Sequence, residues 1–268
     1  TCAFRGVPRD DRLCPRNALS GRNGKNVMSG PLTGFRILDL SRVLSGPVAT
    51  TLLADQGAEV IKVEPHGGDV VRAMGGGGVT AGFLAANRGK KSIALDLHSE
   101  AGIGVVKKLA EKSDVFVQNF RPGAIEGMGL GPDVIRAINP GILFVSISGF
   151  GEKGPYAHKR VYDPVIQALC GLADLQAADA EDRPRMVRTV IPDKTTGLTV
   201  AQAITAGLLS RERTGEGQHI RVAMLDAMIS YLWPEGLVGL TMVGDEDKVP
   251  RGQRSRDLIY ETADGYIT

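Results

Sequence analysis

The residues with the clearest chemical use lie between Arg188 and Arg213, in RTVIPDKTTGLTVAQAITAGLLSRER. A short apolar run ends at Pro192-Asp193. A segment with Leu198, Ala201, Ile204, Leu208 and Leu209 at helical spacing follows. That order predicts Asp193 as the N-cap of a long helix. A carboxylate there accepts backbone N–H groups and lies at the positive end of the helix dipole. Its pKa is expected to fall, which keeps it ionised at neutral pH. Such a group has two uses: it is a preferred helix cap, and it is an oxygen nucleophile positioned for an acyl group. Spacing alone leaves both open.

The elements that must position this aspartate read as an α/β chain. Apolar runs at 34–40, 59–64, 91–97, 114–117 and 142–148 are buried-strand candidates. Between them, 48–56 reads as a helix stopped by Gly57, and 100–112 as an amphipathic helix capped by Ser99. Alternating strands and helices with short links predict a largely parallel, Rossmann-like sheet with right-handed crossovers. The glycine-rich stretch 65–82 reads as a mobile loop. Beyond Gly149 come a helix at 163–172, a polar exposed stretch at 177–187, the long helix, a strand at 218–222 and a second helix at 225–240. A charged link at 244–257 leads into a hairpin whose second strand is barely begun, which predicts a fragment. The expected organisation is a large domain over 28–243, then a linker and the start of a small domain over 244–268. Residues 1–27 are rich in arginine without apolar periodicity, and are expected to be disordered or upstream of a start at Met28.

Composition excludes several classes. With 268 residues, 43% hydrophobic and 23% charged, the chain is ordinary for a globular protein, and a net charge of +2 gives no pull toward nucleic acid. No apolar run is long enough to span a membrane. Cys2, Cys14 and Cys170 show no metal or disulfide spacing, so a reducing, cytoplasmic location is expected. A mitochondrial presequence is only weakly supported, because Asp10 and Asp11 are out of place in one. The four histidines lack metal-ligand spacing, and no metal is expected. The run Gly75 to Gly78 follows no strand and opens no helix, so it is no dinucleotide fingerprint. Neither a Walker A sequence nor a GxSxG elbow is present.

The order of motifs is specific. GFRILDLSRVLSGPVATTLLADQGAEVIKVE, NRGKKSIALDL, DVFVQNFRPGAIEGMGLG, NPGILFVSISGFGEKGPY, YDPVIQALCGL, PDKTTGL and RERTGEGQHIRVAMLDA follow one another from about Leu32 to the end. This series resembles the class III coenzyme A transferases (the CaiB/BaiF family), a superfamily that also holds the α-methylacyl-CoA racemases. The resemblance implies a Rossmann-like large domain with a small domain, and two chains interlocked as a homodimer. It implies coenzyme A as a substrate, with no tightly bound cofactor. The nucleophile of such transferases matches Asp193. It would take CoA from an acyl-CoA donor and pass it to a mono- or dicarboxylic acid through an aspartyl-CoA thioester.

The resemblance also carries over individual positions. Val43, Leu95, Asn119 and Phe120 match residues lining the CoA pocket, and Arg160 replaces a pocket lysine with its charge kept. Lys90 and Lys91 are nearby basic candidates. Tyr162, Asp163 and Gln167 are expected as active-site neighbours. Racemases carry a histidine where this chain has Tyr162, so the alternative of an acyl-CoA racemase lacks its proton-exchanging partner. Leu44, Pro65 and Gly127 depart from polar pocket residues of formyl-CoA transferases, which argues against formate or oxalate. Gly149 and Gly151 are candidates for bringing oxyanion-holding N–H groups close.

Overall fold

The computed structural model describes residues 30–74, 79–177, 183–237, 241, 243–244 and 259–267. In the first half every strand is followed by one or two helices. It runs β1 (Arg36–Asp39), α1 (Ser45–Asp55), β2 (Glu59–Glu64), α2 (Val70–Ala73), α3 (Ala81–Asn87), β3 (Lys91–Ala94), α4 (Glu100–Ala110) and β4 (Val115–Gln118). Then follow α5 (Ala124–Gly127), α6 (Pro132–Ile138), β5 (Leu143–Ser148), α7 (Asp163–Leu169), α8 (Leu172–Leu175), α9 (Ile191–Thr214), β6 (His219–Ala223) and α10 (Met224–Gly236). A short antiparallel pair, β7 (Tyr260–Glu261) and β8 (Tyr266–Ile267), ends the chain.

Strands β1 to β6 form one parallel sheet in the order β3-β2-β1-β4-β5-β6. Strand order reverses between β1 and β4, and a crevice opens there beyond the carboxyl ends of the strands. The central strands are apolar on both faces because helices cover both. Alternation within each strand divides the core. Ile37, Val115, Val117, Leu143 and Val145 face α1 and α9, where they meet Ala49, Leu53, Val200, Ile204 and Leu208. Leu38, Phe116 and Phe144 face the other way, toward Val106 and Ala110 of α4 and Ile135 of α6. Phe116 and Phe144 are paired in register and stack with centroids 4.9 Å apart. A third cluster joins Ile166, Cys170 and Leu172 to Met224, Met228 and Leu232 of α10.

The parallel α/β architecture agrees with the sequence expectation, and four local readings are corrected. The glycine-rich stretch 65–82 holds α2 and the start of α3. Asp69 and Thr80 accept the N–H groups of Val71 and Phe83 and so cap these short helices. Arg72 lies 3.7 Å above the Phe83 ring and fastens one helix to the other. The helix expected over 163–172 breaks where Gly171 takes φ +84, giving α7 and α8. The third strand ends at Ala94, three residues early. Asp193 is not an N-cap: α9 begins at Ile191, since Pro192 fits the first helical turn, and Asp193 is its third residue. The expectations for 1–27, for the run 75–78 and for nearly all of 244–257 fall outside the described residues. No described helix is long and apolar enough to cross a membrane.

Candidate active site

Helix α9 carries Asp193 to the carboxyl edge of the sheet because it packs tightly on α1. Gly197, one turn after Asp193, makes the approach possible. A Cβ there would lie 2.9 Å from Val48 Cγ1 and 3.0 Å from the Ser45 carbonyl oxygen. With the helices this close, the backbone N–H and hydroxyl of Ser45, the first residue of α1, face the Asp193 carboxylate and favour its ionised form. The anion therefore uses the N-terminus of the neighbouring helix in addition to its own.

A second carboxylate braces the same turn. Asp163, buried at the start of α7, accepts the Asp193 N–H through Oδ2 at 3.1 Å. Its Oδ1 accepts Gln167 Nε2 at 2.6 Å. Gln167 also donates to the Thr189 carbonyl at 3.2 Å and accepts the Val187 N–H at 3.0 Å. Asp163 and Gln167 thus tie α7 to the segment that leads into α9. Gln167 is buried and does not line the cavity, so its place is beneath the site and not in it.

The expected fall in the Asp193 pKa is wrong in direction. Burial of the carboxyl, and then the negative charge of Asp163, push it up to about 6. The hydrogen bonds from Ser45 pull the other way and are outweighed. The cap argument counted the helix end and missed the second carboxylate, which lies 30 positions away in sequence yet accepts the backbone N–H of Asp193.

Asp193 and Asp163 line a cavity of about 400 Å³. Arg42, Val43 and Ser45 come from the β1–α1 connection and Asn119 and Phe120 from the end of β4. Lys159, Arg160 and Tyr162 come from the loop before α7. Asn119 joins the first two groups: it accepts the Arg42 N–H and donates to the Arg42 carbonyl, each at 2.8 Å. The Arg42 guanidinium lies 4.9 Å over the Phe120 ring. Acid sits at the bottom and base at the rim, an arrangement suited to an anionic ligand whose reacting carbonyl reaches Asp193. Among the described residues no histidine lines this cavity.

Of the positions expected from sequence, Val43, Asn119, Phe120, Arg160, Tyr162, Asp163 and Asp193 meet here. Leu95 does not; it packs against the core layer on the far face of the sheet. Lys90 is not free for a phosphate, because its ammonium is buried and donates to Asp39 at 3.1 Å. Lys91 pairs with Glu59 on the surface. Gly151 offers no free N–H, since it donates to Ser148 Oγ at 3.0 Å. Gly149 lines the cavity, closely covered by Val161. Sequence reasoning missed Ser45, Arg42, Lys159 and Met224. The first two lie in the first strand-to-helix connection, where a doubly wound sheet binds its ligands, and topology could have found them.

Comparison with known proteins shows the family. The family described as CoA-transferase family III matches residues 32–268. Succinyl-CoA:glutarate CoA-transferase of Mus musculus is 40% identical over 88% of this chain and 56% of its own length. Acetyl-CoA:oxalate CoA-transferase of Acetobacter aceti is 39% identical over 76% of this chain and 53% of its own. The crystal structure of a CAIB/BAIF family protein from Brucella suis superposes with a TM-score of 0.80 at 34% identity, covering 89% of this chain and 65% of that one. The chain therefore spans less than two thirds of the length of these relatives.

Proposed function

The chain belongs to CoA-transferase family III, and on that premise we propose that the protein moves coenzyme A from an acyl-CoA to a carboxylic acid, with Asp193 as the nucleophile. The observation that carries the reading is Asp193 itself: a carboxylate in a cation-rimmed cavity, faced by Ser45 and raised to about 6 by burial and Asp163. At pH 7 such a group is still roughly nine-tenths ionised, and it is more basic than an ordinary carboxylate.

The steps balance without a net proton. Asp193 attacks the thioester carbonyl of the donor and expels CoA thiolate, leaving a mixed anhydride. The thiolate attacks the aspartyl carbonyl, which frees the donor acid and leaves an aspartyl-CoA thioester. The acceptor carboxylate attacks that thioester and forms a second anhydride. Thiolate then attacks the acceptor's carbonyl, giving the new acyl-CoA and the original carboxylate. Ser45 N–H and Oγ face the Asp193 carboxylate and are the donors this reading assigns to the aspartyl oxygen as charge develops on it. Arg160, Lys159 and Arg42 supply positive charge for the phosphates or for a second carboxylate. A dicarboxylic acid is the favoured acceptor, supported by this surplus of cations and by the name of the mouse relative. The racemase reading has less support, because Tyr162 stands where a proton-exchanging histidine is required.

The reading includes a homodimer. It is supported by exposed apolar side chains along α9 and α10, namely Leu198, Leu209, Tyr231 and Trp233. The test is chemical. The protein is incubated with succinyl-CoA or acetyl-CoA and hydroxylamine, and its peptides are weighed. A hydroxamate on the peptide carrying Asp193 is expected; a donor that binds and leaves no adduct there overturns the assignment.

A further inference from the structure

Val43 takes φ +67, and among the described residues it is the one non-glycine in the left-handed region. A β-branched side chain there is strained, and strain of this kind persists only where the surroundings impose it. The imposing groups lie behind the loop, in a buried ion pair unrelated to the cavity wall. Lys62 of β2 and Asp69, the cap of α2, are 3.2 Å apart with their side chains 2% and 1% exposed.

Each member holds one backbone group of the β1–α1 loop. Lys62 Nζ donates to the Ser41 carbonyl at 2.8 Å. The Asp69 carboxylate accepts the Val43 N–H, 3.3 Å from Oδ2. Asp69 is itself oriented by donating its own N–H to Glu64 Oε2 at 2.9 Å. On the opposite side Asn119 holds Arg42 by N–H and carbonyl. The three residues before Leu44 are thus fixed from both sides, and the chain then turns into α1 with Ser45 against Asp193.

Resting on the transferase reading above, we propose that Asp69, backed by Lys62, is a positioning residue: it holds Val43 left-handed and thereby presents Ser45 to Asp193. A buried ion pair contributes little net stability compared with an apolar pair of similar volume. Its retention beneath a strained loop is accounted for by the geometry it enforces.

The replacement Lys62→Met with Asp69→Leu leaves no unpaired charge, so the fold should survive while the loop loses both holds. With the loop free to relax, Ser45 no longer meets Asp193 reliably. The rate of hydroxamate formation from succinyl-CoA should fall on the order of tenfold or more, as for loss of a donor to a developing oxyanion. The acid limb of its pH profile should also move up by about one unit, because a hydrogen bond to the ionised form is lost. Asp163, Arg42, Arg121, Lys159 and Arg160, the other charged groups of the cavity, are unchanged in this comparison. Adding Val43→Gly should restore roughly fivefold, since glycine pays no left-handed penalty.

A double variant with unchanged denaturation, rate and acid limb reduces the pair to scaffolding and overturns the proposal. Should that variant fail to fold, Val43→Pro with the pair intact gives the same test. Its ring cannot adopt positive φ and it has no N–H for Asp69, so an unchanged rate again overturns the idea. Absence of hydroxamate in the wild-type protein is a different failure, which removes the transferase reading itself.

Discussion

Replacing Asp193 with asparagine should make the protein more stable at neutral pH while abolishing transfer. The folded-state pKa of about 6 lies above the ordinary aspartate value of 3.8. A group raised in this way favours folding fully below its unfolded pKa, and that contribution is lost as pH rises through the folded pKa. The difference of 2.2 between those two values corresponds to about 3 kcal/mol at 1.36 kcal/mol per unit. That figure is a ceiling, because the carboxylate is part-exposed and solvent screens it. Asparagine keeps an oxygen that can accept from Ser45 and carries no charge facing Asp163. Urea denaturation of both proteins at pH 7.5 and pH 3.5 measures the effect. Asp193→Asn should be the more stable by about 1–3 kcal/mol at pH 7.5, with most of the gain gone at pH 3.5. A gain equal at the two pH values, or a loss at pH 7.5, would refute the claim that Asp193 is held as an unfavourable charge.

Two further perturbations probe what sets the site. Gly197→Ala pushes a methyl into Val48 and the Ser45 carbonyl, so α9 must lift from α1. Denaturation should show a loss of about 1–3 kcal/mol, and acylation of Asp193 should fall disproportionately as the Ser45 contacts open. Asn119→Ala removes both hydrogen bonds to the Arg42 backbone at the switch between β1 and β4. It should raise KM for acyl-CoA several-fold with a smaller change in kcat, as steady-state kinetics would read.

The sheet was legible because its strands are short, unbroken apolar runs, and a helix or turn residue follows each one. IleLeuAsp of β1 and PheVal of β4 could hardly be placed elsewhere. The two short helices α2 and α3 were not legible. Their glycine-rich surroundings signal a loop, and what holds them is tertiary: the Arg72 stack on Phe83 and the bonds of Asp69 to Glu64 and Lys62. Lys90 and Lys91 illustrate the same limit. A lysine near the expected CoA pocket reads as a ligand, but Asp39 already claims Lys90, and Glu59 claims Lys91. Against the opposing cost of burial, Lys90 and Lys62 together hold the Asp39 carboxyl down at about 2.

Asp193 shows why location and chemistry separate. Its position was readable from a proline, an aspartate and the helical spacing that follows, all local features. Its protonation was not, because burial decides it first and Asp163 on α7 next, against Ser45 on α1, all set by packing through Gly197. Had the helix end been the larger influence, the carboxylate would be a weak base and a poor nucleophile. Burial beside Asp163 reverses that. It destabilises the anion in the resting protein; in the proposed reaction, acylation would neutralise Asp193 and remove the penalty as the covalent bond forms. The same contact that braces the first turn of α9 thus raises the basicity of the group it carries.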